Sequence, residues 1–178
     1  SSNTPDPNTP DILTLTANGG GNIEFYVDIV STMSGESNTE YLKELKITNA
    51  NNVTFHGTVT IQGSLTINAT GNVIFEKGVT LLNGGSLTIT NSAYIEFGSA
   101  SSITLDNDSN TGNALAAGGG NLLLEADEVE LLMSAAKVKG VGGTVTLRPK
   151  THTTAIAVGS PDTATDDMLN LETNELRS

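Results

Sequence analysis

Two carboxylates, Glu125 and Asp127, stand two positions apart in the run Leu124-Glu125-Ala126-Asp127-Glu128-Val129. In a strand, residues i and i+2 share a face, so both acids would project together, as the paired carboxylates of glycoside hydrolysis must. Their surroundings are poor in helpers. The chain has no Trp, three Tyr and eight Lys plus Arg, so aromatic platforms and charge-stabilising cations for a sugar are scarce. The only histidines, His56 and His152, are far apart in a chain without cysteine. A zinc site needs three or four converging ligands, so they read as solvent-facing histidines at strand ends, and no Ser-His-Asp arrangement can be drawn from them. Asp106, Asp108 and Asn110 put oxygen ligands at alternate positions, as calcium loops do. The EF-hand pattern also requires Gly at its sixth position and Glu at its twelfth, where this chain has Thr111 and Ala117. The segment therefore reads as a polar insertion, with a looser calcium loop as the alternative. Gly118-Gly119-Gly120 lacks the Lys-Ser/Thr of a phosphate-binding loop. The expectation is a protein with no catalytic residues and no cofactor.

The elements that would position any such residue are set by a repeat. Gly63-Ser64-Leu65-Thr66-Ile67 recurs 22 positions later as Gly85-Ser86-Leu87-Thr88-Ile89. Three series of apolar-x-apolar triplets run in order through the same region. The first is Leu45-Lys46-Ile47, Leu65-Thr66-Ile67 and Leu87-Thr88-Ile89. The second is Val53-Thr54-Phe55, Val73-Ile74-Phe75 and Ile95-Glu96-Phe97. The third is Val59-Thr60-Ile61, Val79-Thr80-Leu81 and Ile103-Thr104-Leu105. Each triplet is the shortest inward-outward-inward strand. A period of about 20–25 residues with three strands and no helical segment predicts a parallel β-helix. Stacked coils would superimpose Phe55, Phe75 and Phe97 in one internal ladder, Ile47, Ile67 and Ile89 in another, and Val53, Val73 and Ile95 in a third. Asn and Gly between triplets, such as Asn49 to Asn52 and Gly57, Gly78 and Gly98, suit tight corners. Outward Thr residues should form rows, Thr60 with Thr80 and Thr104, and Thr66 with Thr88. Such rows can bind ice when columns are paired; with one Thr per strand they read as solvated β-branched positions.

Composition agrees. Apolar residues make up 37% of the chain and charged ones 16%, with 19 Gly. That is too apolar for disorder and too rich in Gly for a helical protein. The net charge of −12 repels nucleic acid and anionic membranes. No stretch approaches the ~20 apolar residues of a membrane span, and the expectation is a mature product or an excised piece. Residues 1–11, with Pro5, Pro7 and Pro10, read as a linker or arm, and residues 12–178 as one domain. Ile12 to Ile29 predicts an early, irregular coil. Tyr41 to Leu45 has room for one helical turn that runs into the first strand series. Regular coils span 45–105, an insertion 106–120, and further coils with an acidic closing segment 121–178. Ile156-Ala157-Val158 takes the strand slot after Val145-Thr146-Leu147, and a helical turn is expected over Met168 to Leu176. Asn52-Val53-Thr54, Asn68-Ala69-Thr70 and Asn107-Asp108-Ser109 match the N-glycosylation pattern.

Gly71-Asn72-Val73-Ile74-Phe75, Gly78-Val79-Thr80-Leu81 and Gly85-Ser86-Leu87-Thr88-Ile89 resemble the repeat of filamentous haemagglutinin-like giant secreted bacterial exoproteins. So do Leu124 to Val129, Gly143 to Pro149, Thr154 to Gly159 and Leu169-Asn170-Leu171, in that order. The resemblance implies export to the bacterial cell surface, a right-handed parallel β-helix, and a role in adhesion or matrix architecture. If the chain is bacterial, the glycosylation patterns are accidental.

The resulting expectation is an all-β, right-handed parallel β-helix of about six coils of 20–24 residues, each with three short strands. It would be a non-catalytic stalk module of a secreted adhesin or extracellular fibre. Its partners would be neighbouring β-helix modules of the same or identical chains, with host or matrix glycans or proteins as further partners, and neither nucleic acid nor membrane insertion. The alternative is a filament subunit joined end to end, with Ser1 to Thr16 docking on a neighbour as a donor strand. A polysaccharide-active enzyme is the remote alternative.

Overall fold

The computed structural model describes residues 11–31, 42–105, 119–132, 138–140, 143–153, 155–158 and 168–171. These residues are all-β, with no helix, and the strands pair in parallel within curled sheets. In chain order the strands are β1 (Asp11–Thr16), β2 (Ile23–Phe25), β3 (Ile29–Ser31), β4 (Leu42–Ala50), β5 (Val53–Phe55), β6 (Val59–Ile61), β7 (Ser64–Ala69) and β8 (Asn72–Phe75). There follow β9 (Val79–Leu81), β10 (Leu87–Phe97), β11 (Ile103–Leu105), β12 (Leu122–Leu131), β13 (Val138–Gly140), β14 (Val145–Arg148), β15 (Ala155–Val158) and β16 (Met168–Leu171).

Neighbours in a sheet come from successive repeats, not from successive strands. The largest sheet runs β1-β4-β7-β10-β8-β5-β2, with β12 and β14 continuing from β10. A second runs β13-β11-β9-β6-β3. The register joins like to like: Leu45 faces Leu65, which faces Leu87, which faces Leu122. Val59, Val79 and Ile103 are aligned in the same way. The outer residues of each triplet are buried and the middle one is partly exposed. These inward rows form one continuous apolar core from Leu45 to Val129.

The four phenylalanines of the chain form one stack. Ring centroids of Phe25 and Phe55, Phe55 and Phe75, and Phe75 and Phe97 lie 4.7, 4.7 and 4.9 Å apart, with planes within 5° of parallel. That spacing equals the distance between hydrogen-bonded strands. The rings therefore stack face to face because the strands beneath them are in register, not because aromatic pairs prefer that geometry.

Corners follow from a few residues. Asn49 and Asn91 have φ of 57° and 65° and sit where the register slips within β4 and β10. There each strand turns from one row of triplets to the next, and Asn tolerates left-handed backbone better than a bulky residue. Another corner is built from glycines. A Cβ on Gly63 would lie 1.8 Å from the Lys43 carbonyl oxygen. The same atom on Gly85, Gly120 or Gly143 would lie 2.0, 1.8 or 2.2 Å from the carbonyl oxygen of the preceding glycine in that series. Backbone passes so close to backbone there that no side chain fits.

Several expectations change. Leu42 to Leu45 is strand, not a helical turn, because Leu45 sits in register between Leu13 and Leu65. Residues 11–31 form an early layer with a register shift at Asp11/Ile12: β1, β2 and β3 pair with β4, β5 and β6, and Phe25 extends the aromatic stack. Asp11 belongs to β1 and not to an arm, and Asp11–Thr16 pairs with β4 of its own chain instead of serving as a free donor strand. Gly120 belongs to the glycine corner and not to an insertion. Met168–Leu171 is a strand and not a helical turn, with 172–176 of that expectation outside the described residues. Ile156 lies in a strand as expected, but Ala155–Val158 pairs with Met168–Leu171 in a separate two-stranded sheet. Residues 1–10, and Asp106, Asp108 and Asn110 of the suggested calcium loop, lie outside the described residues.

Candidate functional site

Among the described residues the inward positions are used up in the core, so the polar groups available for chemistry there are the middle residues of the triplets and the corners. The outward row of the phenylalanine strands is Glu24, Thr54, Ile74, Glu96 and Glu130. At one end of it, His56 stacks on Tyr26 with centroids 4.8 Å apart. His56 Nδ1 lies 2.9 Å from Glu76 and Nε2 lies 3.9 Å from Glu24. The Tyr26 hydroxyl donates to Glu24, and that bond raises its pKa above the ordinary value for tyrosine. At the other end the Tyr94 hydroxyl lies between Glu96, 3.1 Å away, and Glu130. Desolvation, then the bond to Glu130, drives the Tyr94 pKa well above its ordinary value. A group that holds its proton so firmly is a donor and not a base.

The two acids singled out by their spacing do not act on each other. Glu125 is paired with Arg148 in the next strand and accepts the backbone N–H of Asn91 at 3.0 Å. Asp127 accepts the N–H and hydroxyl of Thr151 at 2.6 and 3.0 Å. Both therefore tie one repeat to another. Among the described residues no three His, Asp or Glu side chains gather as metal ligands. His152 is exposed, whereas His56 is half-buried against Tyr26. Thr60, Thr80 and Thr104 form one outward row. Thr66 and Thr88 are adjacent, but Lys46 and Leu123 flank them. The amides of Asn52 and Asn68 bond to Asn22 and Thr90 respectively.

A shallow groove of about 460 Å³ crosses the outer face, lined by Ser86, Thr88, Asn121, Leu123, Thr146 and Arg148. Its polar residues partly hold the fold: Ser86 Oγ accepts the Asn121 N–H at 2.9 Å, and Asn121 Oδ1 accepts the Thr144 N–H at 2.9 Å. Asp28, in the turn before β3, accepts the Thr58 N–H at 2.7 Å, which lowers its carboxyl pKa. These bonds link equivalent corners of adjacent repeats. The spacing of Ser64, Ser86 and Asn121, each one residue before a core Leu, is the signal from which they could have been found.

The most conspicuous surface is at the ends of the rows. Large apolar side chains that stay exposed are Ile12, Leu13, Tyr26, Val27 and Val30 at one end, and Leu132, Val145 and Ile156 towards the other. Leu13 is 47% exposed while Leu45, next in its row, is 1%. Comparison of the chain with protein families, with curated proteins and with solved structures finds no match.

Proposed function

We propose that the chain is a right-handed parallel β-helix that acts as a non-catalytic stalk module of a secreted bacterial surface adhesin or extracellular fibre. The observation that supports this most is the in-register pairing of equivalent residues, with the four stacked phenylalanines at its centre. In such a solenoid every repeat buries its apolar face only against its neighbours, so stiffness extends along one axis. The outward positions are then free to vary, and the acids Glu125 and Asp127 tie layer to layer. The resemblance to filamentous haemagglutinin-like repeats points the same way, towards export and the cell surface. Small-angle X-ray scattering of the purified chain tests the reading. About six layers of ~4.8 Å span only about 30 Å, so the chain is compared with variants in which residues 63–84 are repeated several times. Each added copy should lengthen the particle by about 4.8 Å at constant cross-section, and growth in all directions overturns the reading.

A second reading, a subunit of an extracellular filament, is favoured by the apolar side chains exposed at both ends of the rows.

A further inference from the structure

We propose that the chain associates head to tail with a second copy of itself, the open edge of its first layer seating on the Val145–Lys150 edge of the neighbour. The inference rests on the stacked-layer reading above. Among the described residues, β1 pairs only with β4, and β14 only with β12. Each thus keeps a row of backbone donors and acceptors with no strand partner among the described residues, although β16 packs against β12 beside the β14 edge. The row that begins at Leu13 and passes through Leu45, Leu65, Leu87 and Leu122 ends at Val145. A copy placed on top brings Val145 over Leu13 and Leu147 over Leu15, and the apolar rows continue across the junction. Both sides are bare for such a contact: Val27 is 74% exposed, Tyr26 73% and Val145 60%.

Charge separates the ends in the same sense. Among the described residues, 11–31 carry Asp11, Glu24 and Asp28 and no Lys or Arg, while 138–158 carry Lys139, Arg148 and Lys150 and no acid; the segment that follows, 162–178, carries five acids and one Arg. The first layer carries Glu24 and Asp28, although Glu24 accepts from Tyr26 and Asp28 from the Thr58 N–H of the next layer; the last carries Arg148 and Lys150, although Arg148 is shared with Glu125 and Lys150 donates to the Thr70 carbonyl. In a chain of net charge −12, two like ends would repel, and an acidic end meeting a basic one is the arrangement that lowers this repulsion. A head-to-tail contact of this kind does not close, so it propagates.

Sedimentation velocity on the full chain over a range of concentrations tests the proposal. The expected result is growth beyond dimer, weakened at least about tenfold as salt shortens the screening length from about 10 Å to about 3 Å. The double variant Ile12→Lys/Val27→Lys and the single variant Val145→Lys change exposed side chains only; each alone should remain monomeric, with an unchanged circular dichroism spectrum. Mixed, they should give a heterodimer that stops at two, because one intact first-layer edge and one intact last-layer edge remain. A wild-type chain that stays monomeric, as it would if its own residues beyond 158 cover the β14 edge, overturns the proposal. So does a closed dimer, or a mixture of variants that fails to pair. A monomer that lengthens by one layer per added repeat but never associates removes this inference and leaves the stalk reading intact.

Discussion

Phe75 shows how one side chain is held in this protein. It is fully buried and touches a parallel ring on either side, so its removal opens a void that neighbours fixed by their own strands cannot fill. Phe75→Ala is expected to cost about 3–5 kcal/mol, read from the urea midpoint, with Thr80→Ala on the exposed row as a mild reference. Tyr94 gives a pH signature. Its pKa is raised in the folded chain above the ordinary 10.0, so the folded state keeps a proton that the unfolded chain releases. Stability present below that value is therefore lost as pH rises through and above it. Between about pH 8 and about pH 11 the wild-type urea midpoint should fall more steeply than that of Tyr94→Phe. Equal slopes would mean that the hydroxyl is not held between Glu96 and Glu130.

At the scale of the element, the short inner strands β5, β6, β8, β9 and β11 persist because each is paired on both sides by its equivalents. A lone strand of that length would not be stable. Corners decide whether such strands superimpose. The column Gly63, Gly85, Gly120 and Gly143 lets adjacent repeats approach with backbone against backbone. Gly85→Ala would press a methyl group onto the Gly63 carbonyl, which cannot rotate away as a side chain would. The expected loss is about 1–3 kcal/mol or more, measured by thermal or urea unfolding, whereas Gly20→Ala, with nothing within 4 Å, is limited to the strain of its positive φ. The column has a sequence signature: each of the four glycines stands two residues before Leu65, Leu87, Leu122 or Val145. The triplets alone do not reveal it, since they report what is inside and not how closely the corners pass.

Across the whole molecule, repetition predicts modularity. Deletion of residues 63–84 removes 22 positions and joins Gln62 to the second copy of the Gly-Ser-Leu-Thr-Ile motif. Leu87 would then fall beside Leu45 and Ile95 beside Val53, so the shortened chain should still unfold cooperatively, with a smaller denaturant slope because less surface is exposed. Deleting half as many residues should abolish cooperative unfolding, because it places inward residues of one repeat against corners of the next.

Strand positions, their inward faces, and the partners of Phe55, Phe75 and Phe97 were legible in the order of the residues, because period-2 triplets recurring every 20–24 positions leave little freedom in what can be buried. Local propensity was a poorer guide where pattern and context compete. Leu42 to Leu45 could take a helical turn in isolation and is strand only because neighbours on both sides use its backbone groups. Irregular spacing hid the membership of Phe25 in the stack, since 30 residues separate it from Phe55. Glu125 and Asp127 share an outward face as their spacing requires, yet their partners, Arg148 and Thr151, come from the following repeat. Sequence by itself determined which side chains point inward, because alternation is a property of the strand. Only the tertiary arrangement decided which outward groups meet, how close the glycine corners pass and which apolar residues are left bare at the ends, because these depend on what lies above and below each strand.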